Sequence, residues 1–165
     1  MKLDIGSGGK SPGFISVDPY CDDADVQAFM WDLPYDDNSV DMIYSSHALE
    51  HIEKRAVLPT LKEWRRVLTP GGTIRLLIPD LEWCCTHYLE CLKNETLDNP
   101  IIGWDLDIIF GNQNHDGEFH KTGFTERSIK WYMKQAGLSI VQFNRISTHS
   151  QMTMEIICTK TMCTS

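Results

Sequence analysis

Three side chains that can exchange protons or bind a metal ion lie within the five residues HALEH. His47, Glu50 and His51 stand at positions i, i+3 and i+4, which share one face if the segment forms a helical turn. A histidine titrates near neutral pH and can act as a general base, for which His47 is the stronger candidate. Imidazole and carboxylate groups are also metal ligands, so acid–base chemistry and metal binding both stay open for this turn.

The segment between residues 94 and 124 holds a second group of titratable side chains. They are His115, Asp116, Glu118, His120 and Lys121. A polar connection of this length is uncommon unless it is functional, so we expect this segment to form a lid or insert loop over the site. His120 or His115 would then be available to complete a four-ligand metal site with the HALEH turn. The sequence alone assigns no metal ligand.

Two other clusters have simpler structural interpretations. Cys84, His87 and Cys91 share a face of a predicted helix, where buried cysteines pack as small hydrophobic residues, although this set can also bind zinc. The acidic stretch 22–25 is interpreted as a solvated loop.

The amino-terminal stretch LDIGSGGKSPGFISVD resembles a phosphate-binding loop only in part. Gly9-Lys10-Ser11 matches the end of a P-loop, but that motif needs a glycine where this chain has Asp4. A P-loop also continues into a helix whose amino terminus faces the phosphate, whereas Pro12-Gly13 and a β-rich run follow here. A P-loop is therefore excluded.

A nucleoside site agrees better with the same stretch. Gly6 and Gly8 form a G-x-G turn, and the third glycine of the dinucleotide fingerprint is replaced by Ser11, which argues against a nicotinamide-dependent reductase. Asp18 ends the next predicted strand, beside the glycines, where its carboxylate can accept both ribose hydroxyls. This order of elements, in which a strand and a glycine turn are followed by a second strand and an acid, predicts a nucleoside-binding site without a pyrophosphate site.

Short β-rich runs alternate with helical periods along the chain. This alternation predicts an α/β fold with a mainly parallel sheet and helices on its faces. A short polar link joins the last two β-rich runs, which predicts an antiparallel hairpin at the sheet edge. The predicted strands before this hairpin are 2–5, 14–17, 26–29, 40–44 and 72–78, and the predicted helices are 53–68, 80–93 and 125–136.

Size and composition limit the class of protein. The chain has 165 residues, is 42% hydrophobic and carries a formal net charge of −8, as expected for one acidic domain that does not bind long nucleic acid. No apolar stretch is long enough to span a membrane and no leader precedes the first strand. Six cysteines without framework spacing indicate reduced thiols, so we expect a cytoplasmic protein.

Four segments together resemble the class I S-adenosylmethionine-dependent methyltransferases, in particular small members with a shortened amino terminus. The segments are LDIGSG with GFISVD, DLPYDDNSVDMIYSSHALEHI, EWRRVLTPGGTIRLLIPDLE and FHKTGFTERSIKWYMKQAGL. Their order and spacing are far more specific than any one segment. The resemblance implies a Rossmann-like, mostly parallel sheet with an antiparallel C-terminal hairpin, in a single domain over residues 1–165.

The resemblance also implies an S-adenosylmethionine site and a role for each residue in it. The glycines would admit the methionine and ribose parts, and Asp18 would hold the ribose. Asp32 with Leu33 would contact the adenine, and Tyr20 would stack on its ring. In many members the LEH tripeptide only fixes its loop by hydrogen bonds, which is the role we favour for Glu50 and His51. The implied cofactor-binding residues are Asp4, Gly6, Ser7, Gly8, Asp18, Tyr20, Asp32, Leu33, Ser45 and Ser46, and the candidate catalytic residues are His47, His51 and His120.

The connection after the first strand departs from the family pattern. Only ten positions separate Gly8 from Asp18, so the usual first crossover helix does not fit and one face of the sheet should be thinly covered. A second copy of the chain, in a homodimer, is one way to cover it. We expect methyl transfer to an oxygen or nitrogen of a small or sugar-like acceptor. The alternative is a non-catalytic S-adenosylmethionine-binding regulatory or partner subunit of the same fold.

Overall fold

The structure is a computed structural model that describes residues 1–94, 101–114, 116–148 and 151–161. The strands are β1 Lys2–Ile5, β2 Ile15–Val17, β3 Val40–Ser46, β4 Leu68–Pro79, β5 Leu138–Thr148 and β6 Gln151–Lys160. The α-helices are α1 Lys54–Val67, α2 Leu81–Lys93, α3 Ile101–Phe110 and α4 Glu126–Ala136. Two short 3₁₀ turns cover Leu49–His51 and Asp116–Glu118.

All six strands form one mixed sheet in the order β2-β1-β3-β4-β6-β5. The pairs β1–β2, β1–β3 and β3–β4 are parallel, and β6 runs antiparallel to both β4 and β5. This arrangement confirms the α/β fold, its mostly parallel sheet and the antiparallel carboxy-terminal hairpin. Because β1 and β3 are parallel neighbours, the loops that follow them leave the same edge of the sheet.

Helices α1 and α4 pack together, and their apolar side chains share one hydrophobic core with the sheet. The apolar side chains of α1 face the core, where Trp64 is fully enclosed while its indole Nε1 donates to Met30 O at 2.9 Å. Thr125 caps α4, because its Oγ1 accepts from Ser128 N at 3.3 Å. None of the helices in the described ranges is long and apolar enough to cross a membrane.

The other face of the sheet carries polar and charged side chains. Arg75 on β4 forms an ion pair with Glu155 at 2.7 Å, and Asn144 donates to the same carboxylate at 2.8 Å. The Arg75 guanidinium also lies over the ring of Tyr44, which in turn contacts Phe14 from the β1–β2 loop. A face patterned in this way is compatible with water.

Two local predictions differ from the structure. The run 26–29 is not a strand, since Val26 forms only an isolated bridge to Val17 and the aromatic side chain at the end of the run is exposed. The segment 94–124 is not an irregular loop throughout, because α3 occupies Ile101–Phe110 and packs on α2. The polar residues around this short apolar helix concealed it in the sequence pattern.

Replacing the enclosed indole tests which side of α1 holds the core. We expect Trp64→Ala to lower the free energy of unfolding by about 3–5 kcal/mol, because the cavity cannot close. Trp131→Ala is the matched control: Trp131 is 54% exposed on α4, so its truncation should change stability by only about 0.5 kcal/mol. Urea denaturation followed by circular dichroism measures both, and equal losses would contradict this assignment of the core.

Candidate functional site

The glycine turn after β1 packs directly against the turn after β3. Gly6 has φ +72°, its N–H donates to Val17 O at 2.8 Å, and a Cβ at this position would lie 2.3 Å from Cβ of Ala48. Only glycine therefore permits this approach. Ser7 contributes a turn contact, because its Oγ accepts from Gly9 N at 3.5 Å.

Asp18 lies beside the glycine turn, where its spacing from the glycines places it. Its Oδ2 accepts from Gly8 N at 3.1 Å, and its Oδ1 accepts from the N–H groups of Tyr20 and Cys21 at 2.9 and 3.1 Å. The carboxylate thus ties the end of β2 to the loop that follows β1. Its contact with a ribose stays a prediction.

Asp4, Ser45 and Ser46 belong to the neighbouring ends of β1 and β3. Burial raises the pKa of Asp4, while a hydrogen bond with Ser11 acts in the opposite direction. Ser45 is fully buried and donates from Oγ to Ile5 O at 2.9 Å, which fixes the strand end that precedes Gly6. Ser46 is half-buried at the last position of β3. Ser45 therefore fixes the strand end beneath the glycine turn, and the contacts of Asp4, Ser45 and Ser46 with a cofactor stay predictions.

Leu33 is part of the core, whereas Asp32 is exposed. The Leu33 side chain is 3% exposed, its N–H donates to Glu63 Oε1 at 2.9 Å, and its carbonyl accepts from Arg66 Nη2 at 3.2 Å. The hydrogen bonds from Arg66 and Leu33 lower the pKa of Glu63 against the effect of burial, so this clamp is ionised at neutral pH. The predicted contact of Asp32 and Leu33 with the adenine stays a prediction, in which the buried Leu33 would be held by Glu63 and Arg66.

Tyr20 stands on an exposed aromatic surface. It is 79% exposed and meets Phe29 edge-on with 6.2 Å between ring centroids, and Phe29 stacks on Trp31 at 4.8 Å. Both neighbours are also more than 40% exposed. The Tyr20 ring is accessible for the stacking role that the resemblance implies.

The HALEH turn begins with an unusual backbone conformation. His47 has φ +51°, a backbone conformation that residues other than glycine rarely adopt. Such conformations are concentrated at functional sites. Its N–H donates to Leu77 O at 2.9 Å, and its Nδ1 lies 3.4 Å from Glu50 Oε1. Glu50 lies in the 3₁₀ turn and is 1% exposed. The turn therefore directs a histidine toward a buried carboxyl group.

The structure brings His120 to this turn, as the sequence predicts. The rings of His51 and His120 are 4.8 Å apart at an angle of 80°, and ligand atoms of Glu50, His51 and His120 all lie within 4.8 Å of one another. Burial lowers the pKa of His120, while the Glu50 charge acts in the opposite direction, so this imidazole is neutral at pH 7. His115, the other candidate, lies outside the described residues.

Backbone hydrogen bonds hold the segment around His120 against the turn. Lys121 N and Thr122 N both donate to the backbone oxygen of Glu50, at 2.8 and 3.0 Å. Gly111, with φ +82°, allows the chain after α3 to approach, because a Cβ there would lie 1.8 Å from the oxygen of Glu118. This end of the predicted lid is fixed in place, and closure of the rest stays a prediction.

Sequence reasoning missed two residues that support the site. Gly111 has no motif around it, since the clash that it avoids arises only in the folded chain. Asp25 is exposed, as expected for a solvated loop, but its Oδ2 also accepts from Ser16 N and Oγ at 3.0 and 2.9 Å. These hydrogen bonds lower the pKa of Asp25 and tie its loop to β2.

Comparison with known proteins agrees with this fold. Residues 3–76 match a family model described as a methyltransferase domain, and no curated protein matches the sequence. An S-adenosylmethionine-dependent methyltransferase from Methanosarcina mazei is 18% identical with a TM-score of 0.67, over 98% of this chain and 92% of that chain.

Two further solved structures share the fold. In Haloferax volcanii, a complex of the Trm112 methyltransferase activator and a methyltransferase matches with 16% identity and a TM-score of 0.63, over 98% of this chain and 82% of that chain. The 1,6-didemethyltoxoflavin-N1-methyltransferase of Burkholderia thailandensis, which contains S-adenosylhomocysteine, is 14% identical with a TM-score of 0.64, over 98% and 71%. The match of residues 3–76 to a methyltransferase domain and the fold shared with S-adenosylmethionine-dependent methyltransferases confirm the resemblance and indicate S-adenosylmethionine as the cofactor.

The contact between Gly6 and Ala48 can be tested by adding one methyl group. We expect Gly6→Ala to lower the free energy of unfolding by about 2–5 kcal/mol, from backbone strain together with the overlap with Ala48. Gly13→Ala is the matched control, because Gly13 has φ +83° but a Cβ there would meet nothing within 4 Å, so only about 1–2 kcal/mol of strain is expected. Equal losses in urea denaturation would show that the close approach does not constrain the turn.

Proposed function

We propose that this chain transfers a methyl group from S-adenosylmethionine to an oxygen or nitrogen of a small or sugar-like acceptor. The observation that carries the proposal is the Asp18 carboxylate beside the Gly8 backbone, with the histidine turn packed against the same glycine loop. The Asp18 carboxylate suits the binding of a nucleoside, and the histidine turn suits the binding of an acceptor that must lose a proton. Their adjacency suits a reaction between the two.

The residues around the glycine turn fit the cofactor. A Cβ at Gly8 or Gly9 would meet nothing within 4 Å, so the backbone faces open space into which a ligand can fit. Asp18 would accept from the ribose hydroxyls, Asp32 would contact the adenine, and the exposed Tyr20 ring would stack on it. When bound, the cofactor supplies an activated methyl group on its sulfonium.

On the acceptor side the protein chiefly has to orient its substrate. Holding the nucleophile in line with the methyl group is worth roughly 7–11 kcal/mol of the barrier. His47, His51 and His120 would line this side, and His47 would accept the proton that an acceptor hydroxyl or amine loses. A general base in this position contributes roughly 10²–10⁴-fold to the rate.

The remaining expectations concern partners and location. With a net charge of −8, the chain is a poor match for long nucleic acid, which supports a small-molecule acceptor. We further propose a cytoplasmic protein and a homodimer. Sedimentation at several concentrations measures the second directly.

The nucleoside site predicts a specific loss on changing Asp18. We expect Asp18→Asn to weaken binding of S-adenosylhomocysteine by about 10–100-fold, because charged hydrogen bonds contribute about 1.5–3 kcal/mol. Asparagine keeps one oxygen for the N–H groups of Tyr20 and Cys21 and removes the acceptor that faces Gly8. Asp23→Asn removes one charge from the same exposed loop and should leave the affinity unchanged. Calorimetric titration measures the affinity of each variant for S-adenosylhomocysteine. An unchanged affinity in Asp18→Asn would contradict the assignment of Asp18 to the nucleoside site.

The acceptor site predicts that binding and turnover separate at His47. We choose His47→Asn because asparagine tolerates the positive φ of this position better than other residues do. We expect at least about a 100-fold lower rate of S-adenosylhomocysteine formation, with unchanged cofactor affinity. The assay uses a panel of small hydroxyl and amine acceptors, and equal rates would remove His47 from the mechanism.

The same panel separates the enzyme from the non-catalytic alternative. Cofactor binding by the wild-type chain without product from any acceptor would favour a regulatory or partner subunit. Product formation by the wild-type chain alone would exclude it.

A further inference from the structure

We propose that Glu50, His51 and His120 form a binding site for one divalent transition-metal ion, such as Zn²⁺ or Fe²⁺. The site goes beyond the methyl transfer proposed above and does not depend on it, because metal binding can be measured without cofactor or acceptor. Three independent features of the structure carry the inference: a buried carboxylate, two oriented imidazoles and the space between them.

The first feature is the environment of the Glu50 carboxylate. The residue is 1% exposed, and neither carboxylate oxygen accepts a hydrogen bond from any residue in the described ranges. Burying a charged group without compensation is costly, so buried carboxylates are paired or coordinate metals. The neighbouring imidazole nitrogen, His47 Nδ1, lies 3.4 Å from Oε1, outside good hydrogen-bond geometry. An ion bound by this carboxylate would supply the missing compensation.

The second feature is the orientation of the two histidines. His51 Nδ1 lies 3.3 Å from the oxygen of Phe119, and His120 Nδ1 lies 2.6 Å from the oxygen of Ile108. An imidazole that donates from Nδ1 to a carbonyl presents the lone pair of Nε2 to a ligand, and metal-binding histidines almost always make such a second contact. His120 therefore has the short supporting contact that metal-binding histidines make, and His51 has a longer contact of the same kind.

The third feature is the size of the space. The ligand atoms lie within 4.8 Å of one another, and around a tetrahedral zinc ion they would be about 3.4 Å apart, so the side chains close by about an ångström on binding. A single ion fits these dimensions.

The ligand set indicates which ions fit. Two histidines and one carboxylate with an open coordination position are typical of catalytic zinc and of non-haem iron(II), whereas calcium and magnesium prefer sites made of oxygen ligands. The open position would take water or an anionic oxygen.

The test uses the full chain without a histidine tag, dialysed against a chelator and then titrated with Zn²⁺ and, separately, Co²⁺. We expect one ion per chain and, with Co²⁺, visible absorption bands of a low-coordinate nitrogen and oxygen site. Glu50→Gln and His120→Asn should each weaken Zn²⁺ binding by at least about 100-fold, beyond the 10–100-fold typical of a lost supporting contact.

His87→Asn is the matched control, because His87 is another half-buried histidine, stacked on Trp83 at 4.7 Å on α2. It should bind Zn²⁺ like the wild type. Circular dichroism and cofactor affinity of each variant report folding, so that a lost site is distinguished from a lost fold. If Glu50→Gln unfolds, His120→Asn decides.

Three results would overturn the proposal. They are the absence of stoichiometric binding, binding that survives both ligand variants, and binding that is lost in His87→Asn, which would place the ion at the α2 cysteines. Because no acceptor takes part, these results leave the proposed methyl transfer untouched. A failure to detect methyl transfer would likewise not contradict the metal site.

Discussion

The close approach of Gly6 to Ala48 is the constraint on which the site depends. Parallel pairing of β1 with β3 sets the two loops side by side, and the buried hydrogen bond from Ser45 to Ile5 fixes the strand ends beneath them. Because a Cβ at Gly6 would come within 2.3 Å of the Ala48 side chain, no residue other than glycine fits there without a shift of the backbone. One packing contact thus couples the turn that would hold the nucleoside to the turn that carries His47.

The short connection between β1 and β2 changes how the sheet meets water. No helix lies between these strands, so one face of the sheet is exposed there. Its own side chains make this face compatible with water, above all the ion pair of Arg75 with Glu155. The charged groups of this pair also have a hydrogen-bonding partner in Asn144 and a ring contact in Tyr44, so the face is polar where it meets solvent. In the described residues, α1 and α4 pack on one face of the sheet, and the loops that follow β1 and β3 leave the same edge.

The sequence predicted the features that arise from local pattern or fixed spacing. Hydrophobic periodicity located α1, α2 and α4, and the distance from the glycines to Asp18 placed that carboxylate correctly beside Gly8. It did not predict features that arise from contacts between distant segments. Gly111 is required only because residue 118 approaches it, and Leu33 is removed from the surface only because Glu63 and Arg66 bind its backbone. The proximity of His120 to the HALEH turn was predicted, whereas the burial of Glu50 was not visible in the sequence.

The burial of Glu50 also bears on the interpretation of the HALEH turn. A role in fixing the loop needs hydrogen bonds, and the ones that hold residues 121–122 use the backbone oxygen of Glu50, which any residue would supply. That role leaves the carboxyl group itself unexplained, together with the cost of enclosing it. If Glu50 served to orient His47, that contact would explain the position of one carboxylate oxygen. The 3.4 Å between Glu50 Oε1 and His47 Nδ1 makes this a weak contact. A cation held jointly with His51 and His120 accounts for the acid, for its burial and for the two carbonyls that steady the imidazoles.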